Sequence, residues 1–176
     1  MNPSAQRNLA RAAGVLLGLA LAVTVVLVSL PGASGAGAPA AVSIAVAPAG
    51  ELEVLPASPR PVLEARSLRP GGPRASGAFT VRNQTGESLR VALRAAVDST
   101  ALNGLLEVRV RAGGRLLSES TLEGLRVRPI RLRLASGQRA LLSFEAWLPA
   151  EVLDGYEGAL VDVTLTPRLR ALGGGG

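Results

Sequence analysis

Apolar and polar residues alternate with a period of two along much of the chain after residue 40. In Leu105–Arg111, every second residue from Leu106 onward is apolar and the residues between them are charged. A β-strand places successive side chains on opposite faces, so this alternation predicts strands that are apolar on one side only. The other predicted strands are 41–47, 77–83, 89–97, 130–134, 140–148 and 159–165.

Short segments containing glycine, proline or small polar residues separate many of these strands, as at Pro70–Pro73, Gln84–Glu87 and Ser136–Gln138. Such residues favour tight turns, and the connections are too short for the crossover helices of a parallel sheet. We therefore predict an all-β fold, an antiparallel β-sandwich of the Ig-like or jelly-roll kind with about eight to ten strands. Residues 100–105 or 149–153 are expected to form one helical turn.

The amino-terminal segment has the layout of an export signal. Arg7 and Arg11 precede the uncharged stretch Ala12–Leu30, and a tract of small residues follows. This order is typical of the hydrophobic helix of a secretory signal peptide, and we expect the mature chain to begin near residue 39 or 41. The predicted domains are a signal peptide or anchor at 1–38, the β-sandwich at 39–170 and a disordered glycine tail at 171–176.

A retained membrane anchor is the alternative for the same segment. At about 1.5 Å per residue, Ala12–Leu30 is long enough to cross a bilayer. Positive charge before the segment keeps the amino terminus inside the cell in both cases, so the domain is expected outside. The protein is thus predicted to be secreted or at the cell surface, or to be a single-pass membrane protein that touches the membrane only through residues 12–30. The mass of the chain recovered from culture medium distinguishes the alternatives.

Three residue types that support much of enzyme chemistry are missing. The chain has no cysteine, histidine or lysine, so all 19 basic residues are arginine. A disulfide framework, a thiol nucleophile, an imidazole base and a zinc site of Cys and His are therefore excluded. The 13 acidic residues leave a glycosidase carboxylate pair open, and Asp154, Glu157 and Asp162 form an acidic cluster without a calcium-loop motif. We expect no enzymatic activity, no cofactor and no metal.

Four arginines form a basic stretch in the second half of the chain, and the net charge is +6. Aromatic residues, on which single-stranded nucleic acids stack, do not accompany them, so specific nucleic-acid binding is not expected. One interpretation is the solvated outer face of a strand. The other is a contact face for anionic polysaccharide or matrix polymers, which salt would weaken. The residues of this candidate face are Arg126, Arg128, Arg131 and Arg133.

The single tryptophan, Trp147, has two possible placements. If Phe144 belongs to the core, the alternation places Trp147 on the outer face, where it would mark a contact surface. A bulge would instead turn it into the core. In the same way, Asn83–Thr85 matches a glycosylation sequon, but turn chemistry explains these residues better.

The segment Leu68–Leu93 contains a Pro-Gly turn, a strand that ends in Asn83, a Thr-Gly turn and then a strand of alternating Val and Leu. This order of turns and strands resembles the TasA/camelysin-like family of exported β-sandwich proteins, known from bacterial biofilm fibres. The resemblance spans roughly residues 41–167, and its departure is the ending, where Thr166-Pro167 and a basic tail replace the family's Ala-x-Gln. Camelysin is described as a metalloprotease, but this chain lacks the usual zinc ligands. The residues that fit the first half of the pattern are Pro70, Gly71, Val81, Asn83, Gly86, Val91 and Leu93.

The predicted first strand, 41–47, is short, uncharged and rich in β-branched residues. Such a strand can pair in its own sheet or complete the sheet of a neighbour, with Val42, Ile44 and Val46 filling apolar pockets. The resemblance implies strand donation into fibres. We therefore expect a secreted structural subunit that self-associates through this strand. The alternative is a membrane-anchored, monomeric envelope module that binds polysaccharide or a protein partner.

Overall fold

The computed structural model describes residues 38–47, 49–55 and 61–172. The predicted amino-terminal helix and residues 173–176 of the predicted glycine tail lie outside these ranges. The described residues contain ten strands and two short helices. The strands are β1 (Ala40–Val46), β2 (Leu52–Leu55), β3 (Leu63–Leu68), β4 (Ala75–Asn83), β5 (Ser88–Val97), β6 (Glu107–Ala112), β7 (Arg115–Thr121), β8 (Ile130–Leu134), β9 (Arg139–Trp147) and β10 (Leu160–Leu172), and the helices are α1 (Leu102–Leu105) and α2 (Leu122–Val127).

The strands form two five-stranded sheets. The first sheet has the order β3-β1-β10-β5-β8, and the second has the order β2-β4-β9-β6-β7. Neighbouring strands are antiparallel, except that β1 runs parallel to β10. The prediction of an all-β fold is confirmed, and the two-sheet arrangement fits a β-sandwich. Among the described residues, no helix has the length and apolar character needed to cross a membrane.

The core lies between the two sheets and is built mainly from Leu, Val and Ala. Inward side chains of both sheets join one buried cluster, as the alternation along each strand requires. Phe79 on β4 and Phe144 on β9 are fully buried, and their rings stack with centroids 5.5 Å apart. These are the only buried aromatic side chains in the described ranges, so aliphatic residues fill the remaining volume.

One buried side chain joins two turns that each connect the first sheet with the second, the β4–β5 turn and the β8–β9 turn. Asn83, at the end of β4, is fully buried. The two N–H groups of its Nδ2 are shared among the carbonyl oxygens of Glu87, Ala135 and, at the longer distance of 3.2 Å, Leu134, and its Oδ1 accepts from the backbone N–H and the hydroxyl of Thr85. These bonds satisfy a group that would otherwise be costly to bury. They also support the interpretation of Asn83–Thr85 as turn chemistry, since the amide is occupied inside the fold.

Three strands and one helix did not follow from the alternation. β2 has only four residues, and β7 lies at a sheet edge without a fully buried residue, so neither carries a clear apolar period. In β3 a register shift opposite Ala40 and Val42 breaks the alternation. α2 begins after Thr121, whose hydroxyl accepts a hydrogen bond from the N–H of Gly124 and so caps the helix. With six residues, this helix is too short to show an amphipathic period in the sequence.

The last strand is longer than the alternation predicts. The predicted end at Leu165 is wrong, because β10 continues through Pro167 to Leu172 and pairs with β5 along this extension. β1 pairs with β10 only as far as Leu165, so Pro167 lies where one side of β10 has no neighbouring strand and a missing N–H is tolerated. The helical turn expected at 100–105 is confirmed by α1, whereas 149–153 forms no helix.

Candidate functional site

Six arginines occupy the outer surface of one half of the first sheet. They alternate with inward apolar residues along the adjacent strands β5, β8 and β10, and all six are exposed. The strand pattern therefore places every one of these side chains on the solvent side. We call this surface the arginine face, and it consists of Arg90, Arg94, Arg131, Arg133, Arg168 and Arg170.

Strand register aligns the arginine face in cross-strand rows. In one row Arg90 lies between Arg170 on β10 and Arg133 on β8. In the next row Arg168 and Arg131 lie on either side of Ala92. Neighbouring strands are about 4.8 Å apart, and like charges directly opposite each other destabilise a sheet. The fold thus carries an electrostatic cost at this surface.

Acidic residues do not relieve that cost. Within residues 38–47, 49–55 and 61–172, none of the six arginines forms an ion pair with a carboxylate. The described ranges contain 16 arginines and 13 acidic residues, so without these six arginines the same ranges have ten arginines against 13 acidic residues, a formal charge of −3. The excess positive charge is therefore concentrated on one surface.

On the outer face of the second sheet, by contrast, some arginines form ion pairs. Arg109 on β6 donates to both carboxylate oxygens of Glu119 at 2.8 Å, and it contacts Glu145 at 3.3 Å. Arg74 also reaches Glu145, at 3.3 Å. The hydrogen bond from Arg109 lowers the pKa of Glu119, and the same bond raises the pKa of Arg109. In this cluster two carboxylates thus neutralise the charges of Arg109 and Arg74, an arrangement that has no counterpart on the arginine face.

Trp147 lies on the outer face of the second sheet and is partly buried. Its ring is covered by two guanidinium groups, with Cζ of Arg74 4.3 Å and Cζ of Arg109 5.2 Å from the ring centroid. These are cation–π distances. The outward placement is therefore the observed one, and Trp147 lines an open depression of about 480 Å³ beside the Pro149 turn. The ring is engaged with its own chain rather than standing free as a contact aromatic.

The basic stretch of the sequence is divided by the fold. Arg131 and Arg133 lie on β8 in the arginine face, whereas Arg126 lies on α2 and Arg128 follows that helix. Arg126 donates to Glu123 through Nε and Nη2, which lowers the pKa of Glu123 and raises that of Arg126. Proximity in sequence therefore identified two residues of the arginine face and missed the four on β5 and β10.

The arginine face borders an open depression of about 710 Å³. All residues of the arginine face except Arg94 line this depression together with Ala92, and Arg115 on β7 adds a sixth guanidinium from the other sheet. Leu132 and Leu169, which lie between arginines on their strands, complete the lining. The arginine side chains thus border a concave surface, and Ala92 has the smallest side chain among the residues that line it.

The predicted assembly strand is integrated into the first sheet. β1 pairs with β3 on one side and with β10 on the other. Val42 and Ile44 are fully buried, and Val46 is partly buried against the core. In this structure the strand completes its own sheet.

The described part of the chain contains no group of three acidic residues placed to hold a metal ion. A comparison with known proteins identifies no match to the chain among family models or among curated protein sequences. The geometry of the arginine face therefore carries the functional argument.

Proposed function

We propose that this chain is an exported, non-enzymatic β-sandwich that binds an anionic polysaccharide through the arginine face. The single observation that carries the proposal is the set of six exposed, unpaired guanidinium groups on three adjacent strands. A multivalent anion would relieve the repulsion within each row, and guanidinium forms strong, forked hydrogen bonds with oxyanions. The proposal includes the Ig-like or jelly-roll architecture and the signal peptide or anchor at residues 1–38.

The positions of the aromatic side chains favour polysaccharide over nucleic acid. Phe79 and Phe144 are buried, and Trp147 lies on the other sheet beneath two arginines. Tyr156 lies in the connection between β9 and β10. Single-stranded nucleic-acid sites combine basic residues with aromatic platforms for the bases, and the arginine face has charge without such a platform.

Arginine-specific chemical modification tests this proposal directly. We expect an anionic dextran to protect the residues of the arginine face from phenylglyoxal, while neutral dextran protects none of them. At a polymer concentration ten times the dissociation constant, modification should slow about tenfold, because about one site in eleven remains free. Mass spectrometry of the digested chain measures the extent of modification at each arginine separately.

Arg111 and Arg139 are internal controls, because they lie on the second sheet. Their modification rates should not change with polymer. Equal protection of all arginines, or protection confined to the second sheet, would contradict binding at the arginine face.

A second candidate function is assembly by exchange of β1, and one specific observation favours it. β1 comes before all other described strands and lies between β3 and β10, so the β1 of another copy could make the same pairings. Exchange of an identical element between copies is a low-cost route to oligomers. The resemblance to exported fibre proteins supports the same proposal.

An engineered disulfide distinguishes exchanged from unexchanged strands. Ser43 on β1 lies opposite Glu64 on β3, at a Cα spacing suited to a disulfide. Because the chain has no cysteine, the double variant Ser43→Cys/Glu64→Cys forms one defined bridge. In self-associated protein, exchange should produce covalent multimers on a non-reducing gel.

The matched control links two strands that do not exchange. Ala96 on β5 lies opposite Thr164 on β10, so Ala96→Cys/Thr164→Cys should give covalent monomers in the same material. If associated Ser43→Cys/Glu64→Cys protein also yields only covalent monomers, β1 remains in its own chain and exchange is refuted.

A further inference from the structure

The arginine face contains one position where several guanidinium groups surround a small side chain. Ala92 lies at the centre of the second cross-strand row, between Arg131 and Arg168. Two residues away on the same face of β5 lie Arg90 and Arg94. Neighbouring strands lie about 4.8 Å apart, and residues two apart along a strand are separated by about 6.7 Å. The backbone positions of Arg131 and Arg168 are therefore about 4.8 Å from Ala92, and those of Arg90 and Arg94 about 6.7 Å.

The small size of Ala92 leaves room above the sheet. Its side chain is one methyl group, whereas its four neighbours are long and flexible, and Ala92 lines the depression together with Arg90, Arg131 and Arg168. No carboxylate of the described residues pairs with these guanidinium groups. A compact anion above Ala92 would therefore meet donors from several directions.

We infer that the position above Ala92 is a seat for an ester-linked tetrahedral oxyanion, a sulfate or phosphate group carried on the polysaccharide. This inference rests on the proposed function and specifies its ligand chemistry. A carboxylate offers two oxygens, both in one plane. A sulfate or phosphate monoester offers three terminal oxygens, which diverge and can each accept from a different guanidinium.

The inference is tested with three dextrans of equal length and equal degree of substitution, carrying sulfate, phosphate monoester or carboxymethyl groups. Titration calorimetry of the full-length chain gives the three dissociation constants at one salt concentration. One additional charge-assisted hydrogen bond is expected to strengthen binding about tenfold, so at least one tetrahedral ester should bind about tenfold more tightly than carboxymethyl dextran.

A paired substitution on β5 locates the preference. Ala92→Leu fills the seat without changing charge, and it should reduce the ratio between the affinities for the tetrahedral ester and for carboxymethyl dextran to about twofold or less. Ala96→Leu is the control, since Ala96 is exposed on the same face of β5 but lies opposite Thr164 rather than an arginine. It should keep the full preference.

A comparison of phosphate dextran with sulfate dextran identifies which of the two anions occupies the seat. Arginine stays protonated across the working pH range, whereas a phosphate monoester gains its second charge near pH 6. Binding that strengthens through pH 6 only for phosphate dextran, and exceeds that of sulfate dextran above it, indicates a phosphate seat. Tighter binding of sulfate dextran throughout indicates a sulfate seat.

Equal affinity for all three polymers, or a preference that survives in Ala92→Leu, would overturn the seat and leave the proposed function intact. Binding to none of the three would overturn the proposed function itself. Tighter binding of a single-stranded oligonucleotide than of every dextran at equal charge would overturn the assignment of the group to a polysaccharide.

Discussion

Replacing Gly77 with alanine is expected to lower the free energy of unfolding by about 3 kcal/mol. Gly77 lies on β4, where the backbone before β3 crosses close above it. A Cβ added at Gly77 would lie 1.9 Å from the carbonyl oxygen of Val62 and 2.9 Å from Cβ of Leu63. The first obstacle is backbone held by a hydrogen bond from Val62 N–H to Ile44, so the strands themselves must shift.

Gly86 is the matched control for this substitution. It lies in the turn between β4 and β5, and a Cβ added there meets nothing within 4 Å. Gly86→Ala should change the stability by no more than about 1 kcal/mol, in either direction. Urea unfolding followed by Trp147 fluorescence measures both variants, and similar losses for the two would contradict the close approach at Gly77.

Removing three guanidinium groups from the arginine face should weaken binding of an anionic dextran about 100-fold. The substitutions are Arg90→Ala, Arg131→Ala and Arg168→Ala, which remove three of the four guanidinium groups adjacent to Ala92. Each basic residue near an anionic surface contributes about 1 kcal/mol, so three together correspond to about two orders of magnitude in the dissociation constant. The fold should remain intact, because the removed charges repel one another and lie at exposed positions.

A charge-matched control separates this effect from a general loss of positive charge. Arg69, Arg111 and Arg139 lie outside the arginine face and form no ion pair with the described acidic residues. Their triple substitution to alanine also removes three charges but should weaken binding less than about threefold, through long-range electrostatics alone. Equal losses in the two triple variants would show that net charge, rather than the arginine face, governs binding.

The local pattern of the chain predicted most strands but not their neighbours. Seven strands follow from the period-two alternation, because each carries one buried and one solvated face. The pairing of β1 parallel to β10 joins segments far apart in sequence, and no local pattern encodes it. The strands that escaped prediction are short, at an edge or bulged, so burial on one face leaves little trace in their composition.

The candidate site was predicted only in part, because its arginines lie on three strands whose pairing is not encoded in any local pattern. Alternation placed Arg90 and Arg94 outward on one strand and Arg131 and Arg133 outward on another, but only the sheet order brings them together. The contribution of Arg168 and Arg170 depends on the extension of β10 past Pro167, where the sequence suggested an end. The sequence left open whether Trp147 faces outward or inward, because the two guanidinium groups that lie over its ring belong to Arg74 and Arg109, on segments far from it in sequence.

The most direct test of the central claim is the salt dependence of binding to an anionic dextran. Each arginine that replaces a condensed counterion adds to the slope of log K against log salt concentration, by about 0.7–0.9 for nucleic acids. For six arginines we expect a slope of about −4 to −5 in the unmodified chain and about half that value in Arg90→Ala/Arg131→Ala/Arg168→Ala. A slope near zero, or the same slope in both proteins, would contradict polyanion binding by the arginine face.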